Sequence, residues 1–180
     1  DGRCAATLAP SATACDPRWG TQRCAGERAC MATSFDSGRC ADVTREVEGD
    51  NGHPLIAQAV TLPAMIRGGL RYGSDLDCYA FDLPAGARLR AETSNGAGWC
   101  GSITDTVISV RRMNNEVIEI NDDTPLSWSV LANSCSLVDA AWTHSPLRDL
   151  TPGRYAVCVG AFRGEAPIGE YFLAITAEQP

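Results

Sequence analysis

Three carboxylates gathered at the open end of one hairpin carry the most specific chemistry in this chain. Residues 105–123 read DTVISVRRMNNEVIEINDD. Two apolar alternations, Ile108/Val110 and Ile118/Ile120, flank Asn114-Asn115, the pattern of a β-hairpin. Pairing Ile108 with Ile120 and Val110 with Ile118 leaves a three-residue loop, Met113 to Asn115. The same register sets Asp105 opposite Asp123 and Thr106 opposite Asp122. Like charges held opposite one another destabilise a sheet unless they are solvated or bridged. A hard divalent cation is the usual bridge, and Ca²⁺ takes carboxylate and carbonyl oxygens. Acids at turn ends also arise from local hydrogen bonding alone, so solvated turns remain the plainer alternative. The expectation is a metal-steadied extracellular β-module rather than a catalyst.

Nothing in the sequence marks a catalytic centre with comparable clarity. There is no G-x-S-x-G elbow and no H-E-x-x-H helix. His53 lies in a polar stretch before Pro54, and His144 lies in WTHSP; both read as surface histidines. The 22 acids permit many carboxylate pairs, and none is singled out. Trp19, Trp99, Trp128 and Trp142 read mainly as covers for loop interiors, with a carbohydrate or protein contact as the alternative. Arg111-Arg112 reads as a solvated hairpin tip.

The formal charge of −7 argues against a nucleic-acid partner, which needs a basic face. All 15 basic residues are arginine. No apolar run approaches the roughly 20 residues of a membrane span. The chain opens on DGRC without a signal peptide, so an exported protein would be present here in processed form.

Nine cysteines occur without a C-x-x-C pair, which disfavours zinc and thioredoxin-like sites and favours disulfides in an oxidising compartment. Cys4, Cys15, Cys24, Cys30 and Cys40 crowd residues 1–45, a loop-dominated segment too small to build its own core. The spacing leaves their connectivity open, and the odd number leaves one thiol over, assigned to this group.

A polar link, residues 46–54 (EVEGDNGHP), precedes a domain at 55–180. There the elements that must position the acids read as short strands: 55–62, 76–83, 87–93, the two hairpin arms, 126–131, 154–162 and 169–176. Tyr79, Phe81 and Leu83 share one face; so do Tyr155, Val157 and Val159, and Tyr171, Leu173 and Ile175. The expected fold is all-β, a jelly-roll-like antiparallel β-sandwich preceded by a small disulfide-rich segment. Parity turns Cys78 and Cys158 outward, where they can bridge neighbouring strands; Cys100 and Cys135 can then tie two long loops.

The motifs SDLDCYAFDLPAG at 74–86, the 105–123 hairpin, and LTPGRYAVCVGAF followed by GEYFLAIT resemble the bacterial pre-peptidase C-terminal domain. That family is related to the collagen-binding domains of clostridial collagenases. The resemblance spans roughly residues 66–176; the Cys-rich head has no counterpart in the family. Asn115 stands where the family usually carries glycine, a mild change because Asn tolerates the left-handed region. The resemblance implies a jelly-roll sandwich that often binds Ca²⁺. It extends the calcium candidates Asp105, Asp122 and Asp123 to Asp75, Asp77 and Asn121.

Two functions follow as expectations. The first is a secreted, non-catalytic module that binds an extracellular polymer or protein, or assembles with copies of itself into a filament or surface structure. An odd thiol and open sheet edges favour such assembly. The second is an accessory domain that targets a secreted peptidase or other hydrolase to its substrate.

Overall fold

Period-two alternation builds most of the molecule, because residues i and i+2 of a strand share a face. The computed structural model describes residues 14–15, 24–33, 37–47, 49–96, 105–123, 135–164 and 166–178. Its first three strands, β1 (Ala14–Cys15), β2 (Arg28–Ala32) and β3 (Gly38–Asp42), form an antiparallel sheet in the order β1-β3-β2. One five-stranded sheet has the order β10-β9-β12-β7-β5. Its members are β5 (Gln58–Ala59), β7 (Leu76–Leu83), β9 (Thr106–Arg112), β10 (Val117–Asn121) and β12 (Gly153–Ala161). The other has the order β11-β8-β13-β6-β4. It contains β4 (Thr44–Arg45), β6 (Ala64–Leu70), β8 (Arg88–Ser94), β11 (Leu137–Asp139) and β13 (Ile168–Glu178).

The two large sheets pack face to face as a β-sandwich. Tyr79, Phe81, Ile108, Val110, Val157 and Val159 from one meet Ile66, Leu70, Leu89, Tyr171, Leu173 and Ile175 from the other. Each such side chain contributes roughly 1.5–3 kcal/mol by leaving water. Pairing is antiparallel except at two short edges, where β4 runs parallel to β6 and β5 parallel to β7. Among the described residues the only helical turns are 3-10 turns, and no helix is long and apolar enough to cross a membrane.

The described residues of the disulfide-rich head include this small sheet. Disulfides Cys15–Cys30 and Cys24–Cys40 staple its strands. Gly38 lies at the staple because a Cβ there would stand 2.8 Å from the Met31 carbonyl oxygen and 2.9 Å from Cys15 Sγ. The head docks on the outer face of the second large sheet. Ala29 and Met31 pack on Met65 and Ala174, and Cys30 N–H donates to the Gly96 carbonyl at 3.0 Å. The stretch 46–54 is bonded to the sandwich rather than loose. Glu46 N–H donates to the Arg67 carbonyl, and Cys78 N–H donates to the Asn51 carbonyl.

Several expected elements differ. Residues 55–62 do not form one strand: His53 caps a 3-10 turn at Pro54–Ile56, and only Gln58 and Ala59 pair. Proline at the first position fixes φ for such a turn and removes a ladder donor. The segment Ala64–Leu70, not expected as a strand, pairs with six residues of β13. The possible strand at 126–131 lies outside the described residues.

The hairpin forms with a shifted register. Its turn uses Asn115 in the left-handed region (φ 71°), as the sequence allows. The loop runs to Glu116, and an irregularity between Val117 and Glu119 leaves Ile118 as an extra residue. Asn121 rather than Ile120 therefore faces Ile108, and Glu119 faces Val110. Every later residue changes partner, which takes Asp123 out of register with Asp105.

Candidate functional site

The strand parity that puts Tyr79, Phe81 and Leu83 inside also puts Asp77 inside. Asp77 is 2% exposed, at the end of β7, between the two sheets. The Tyr171 hydroxyl, from β13, donates to Asp77 Oδ2 at 2.8 Å, and lies 2.6 Å from the Tyr79 hydroxyl. The Glu46 side chain reaches Asp77 from the strap that follows the head and hydrogen-bonds to it. Glu46 is itself held from two sides. Asn51 Nδ2 donates to Oε1 at 2.8 Å, and Gly69 N–H donates to Oε2 at 3.0 Å. Gly68 leaves the necessary space, since a Cβ there would stand 2.6 Å from the Tyr171 ring and 2.8 Å from Glu46 Oε2.

The electrostatics follow from this placement. Burial pushes the Asp77 carboxyl up to about 8, reinforced by the hydrogen bond to Glu46 and the Glu46 charge. The Tyr171 hydrogen bond opposes the shift, and Asp75 adds slightly to it. Burial also drives the Tyr171 hydroxyl well above its ordinary value, with Tyr79, Asp77 and Glu46 adding to it. None of the groups acting on Asp77 is a cation. Burial and the neighbouring Glu46 carboxyl both disfavour a charge on Asp77, so Asp77 keeps its proton unless a cation reaches it.

The other expected metal residues are spread out. Asp75 is occupied locally: its Oδ2 accepts from Arg71 N–H at 2.8 Å and its Oδ1 from Leu76 N–H at 3.1 Å. Asp105 is exposed at the start of β9, and its carbonyl accepts from Phe162 N–H. Asn121 ties the hairpin to β11, with Nδ2 donating to the Leu137 carbonyl at 2.9 Å and Oδ1 accepting from Asp123 N–H at 3.0 Å. Asp123 is raised by partial burial and by Asp122. Among the described residues, Asp105, Asp122 and Asp123 do not converge as a trio of ligands. The side chains that do converge, Cys15, Cys24 and Cys40, are already consumed in the two head disulfides.

Sequence reasoning assigned Glu46 and Asn51 to a polar link. The available signal was the run EVEGDN, three acids with no base among them, standing just before the strands. A second signal was the parity of Asp77 itself.

The outward cysteines do form a disulfide. Cys78 pairs with Cys158 across β7 and β12. They lie on the face away from the core, yet both are fully buried, because Ala57 of the strap packs over them with Leu76 and Ala156. Cys135 is disulfide-bonded to a residue outside the described set. Cys4 and Cys100 also lie outside it, as do Trp19, Trp99 and Trp128.

A disulfide-stapled β-sandwich is thus the class of protein that the fold defines. No family model matches the chain, and no curated protein matches it. Its fold is similar to the pre-peptidase C-terminal domain of a collagenase from Bacillus anthracis, at 16% identity and a TM-score of 0.45. That match covers 67% of this chain and 94% of the collagenase domain. The chain is also similar to PliG, a periplasmic inhibitor of g-type lysozyme, from Aeromonas hydrophila (16% identity, TM-score 0.41, 68% of this chain and 99% of that one). PliG of Salmonella Typhimurium matches at 17% identity and a TM-score of 0.40, over 68% of this chain and 100% of that one.

Proposed function

We propose that this chain is a secreted, non-catalytic binding or assembly module whose strap is clamped to the sandwich by Ca²⁺ at Glu46 and Asp77. The observation that carries the reading is the buried Asp77 carboxyl beside the half-buried Glu46, with no cation among the groups that shift Asp77. Hard oxygen donors suit Ca²⁺, whose remaining positions would be filled by other oxygens, including water. The chemistry supplied is neutralisation of the pair. The chain's own residues orient it: Asn51 and Gly69 fix Glu46, and Tyr171 fixes Asp77. The disulfides support an oxidising, extracellular setting. Leu55 and Ile56, both exposed on the strap, support contact with a protein partner or a second copy.

The test is thermal unfolding at neutral pH in CaCl₂ against the same protein in chelator, paired with calorimetric titration of Ca²⁺. A higher Tm with Ca²⁺, lost in both Asp77→Asn and Glu46→Gln, is expected. Superimposable melts and no heat of binding would refute the clamp.

A further inference from the structure

A second place on the molecule has the makings of a ligand site, and it is independent of the carboxyl clamp. An open depression of about 580 Å³ is lined by Glu119, Ala141, Trp142, Thr143, His144 and Ser145. Its volume falls within the range of small-ligand sites. The floor is rigid. Ala141 N–H donates to Asp139 Oδ1 at 2.8 Å, Trp142 N–H to the Asp139 carbonyl, and Ser145 N–H to the Trp142 carbonyl. Ser145 Oγ then accepts from Leu147 N–H at 3.2 Å and donates to Glu119 Oε2 at 2.6 Å. The hairpin register that differs from the sequence expectation is what delivers Glu119 here.

We infer that this depression is a subsite for a neutral oligosaccharide, with the Trp142 indole as its stacking platform and Glu119 as its oriented hydrogen-bonding group. A sugar ring offers an apolar face to an aromatic ring and hydroxyls at its rim, which matches an indole beside a carboxyl, an imidazole and a threonine hydroxyl.

Other occupants fit less well. A metal ion lacks donors, because among the described residues no trio of carboxylate, imidazole or thiol ligands converges here. An anion would meet the Glu119 carboxylate. An ammonium group is best held by an aromatic cage, and Trp142 is the one indole in the lining. Ser145 is itself buried, and these two hydrogen bonds make it part of the floor.

The test is calorimetric titration of the intact protein with chitotetraose, cellotetraose and xylotetraose, each in Ca²⁺ and in chelator. Binding of at least one sugar is expected under both conditions, so that failure of the calcium clamp leaves this result standing. Trp142→Ala should weaken that binding about tenfold or more, a change of roughly 1.4 kcal/mol. Trp142→Phe should restore part of it, and Glu119→Gln should weaken it several-fold, with unchanged melting in each variant. The inference is overturned if none of the three sugars binds at about 10 mM, a free energy near the weakest useful range. It is also overturned if sugar binding is unchanged in both Trp142→Phe and Glu119→Gln, or if choline binds where the sugars do not.

Discussion

Replacing Asp77 by Asn removes the buried ionisable carboxyl while keeping its size. The folded Asp77 carboxyl sits at about 8, against an ordinary value of 3.8. The native state therefore keeps a proton that the unfolded chain releases once the pH passes about 4. In the absence of metal, this stabilising difference is complete below that pH and drains away as pH rises toward 8. At about 1.4 kcal/mol per pH unit, the whole interval is worth on the order of 5 kcal/mol. Asn carries no such penalty, and its amide can donate to Glu46 where the protonated carboxyl did. Urea unfolding of both proteins from pH 4 to pH 9 in chelator should give similar stabilities at the acid end. The Asn variant should then become progressively the more stable of the two. Saturating Ca²⁺ should reverse the order at neutral pH by filling the site only in the wild type. A stability difference that stays flat from pH 4 to pH 8 would refute the buried-proton argument. So would an Asn variant that loses ground as the pH rises.

Two further perturbations test the packing around Asp77 and the strap. Gly68→Ala drives a methyl group to within 2.6 Å of the Tyr171 ring. It should cost about 1–3 kcal/mol by overpacking, read from the urea midpoint, and should weaken Ca²⁺ binding in the same sample. The double variant Cys78→Ser/Cys158→Ser removes a bond that closes 80 residues of sequence separation. A loss of roughly 2–5 kcal/mol is expected by chemical unfolding, and a variant as stable as the parent would contradict it.

Strands with clean alternation are legible in the sequence itself. Leu76–Leu83 and Gly153–Ala161 present aromatic and β-branched residues at every second position, and both emerged close to their expected limits. Ala64–Leu70 was missed because Arg67 and the Gly68-Gly69 pair interrupt its apolar pattern, whereas its pairing with β13 is set by tertiary contacts. The hairpin was readable but its register was not. Alternation alone favours opposing Ile108 and Ile120, and a single extra residue at Ile118 overrides it. Ile120 is left exposed on the outer face opposite Ser109. The head's pairing was hidden for another reason: its strands are short and gain their order from disulfides and from docking onto Met65 and Ala174. At the site, Asp77 was singled out by motif, while Glu46 was passed over. The run EVEGDN marks an acidic stretch but not which of its carboxyls turns toward Asp77.

The docked head also decides how the sandwich meets its surroundings. With Ala29 and Met31 lying on Met65 and Ala174, part of one broad surface is already spoken for. Arg67 of that same sheet is engaged by Glu170 and rests on the Phe172 ring at 6.0 Å. A visitor approaching from that side encounters the head before it encounters the sheet. The opposite flank is left uncovered by the head, and there the strap shows Leu55 and Ile56.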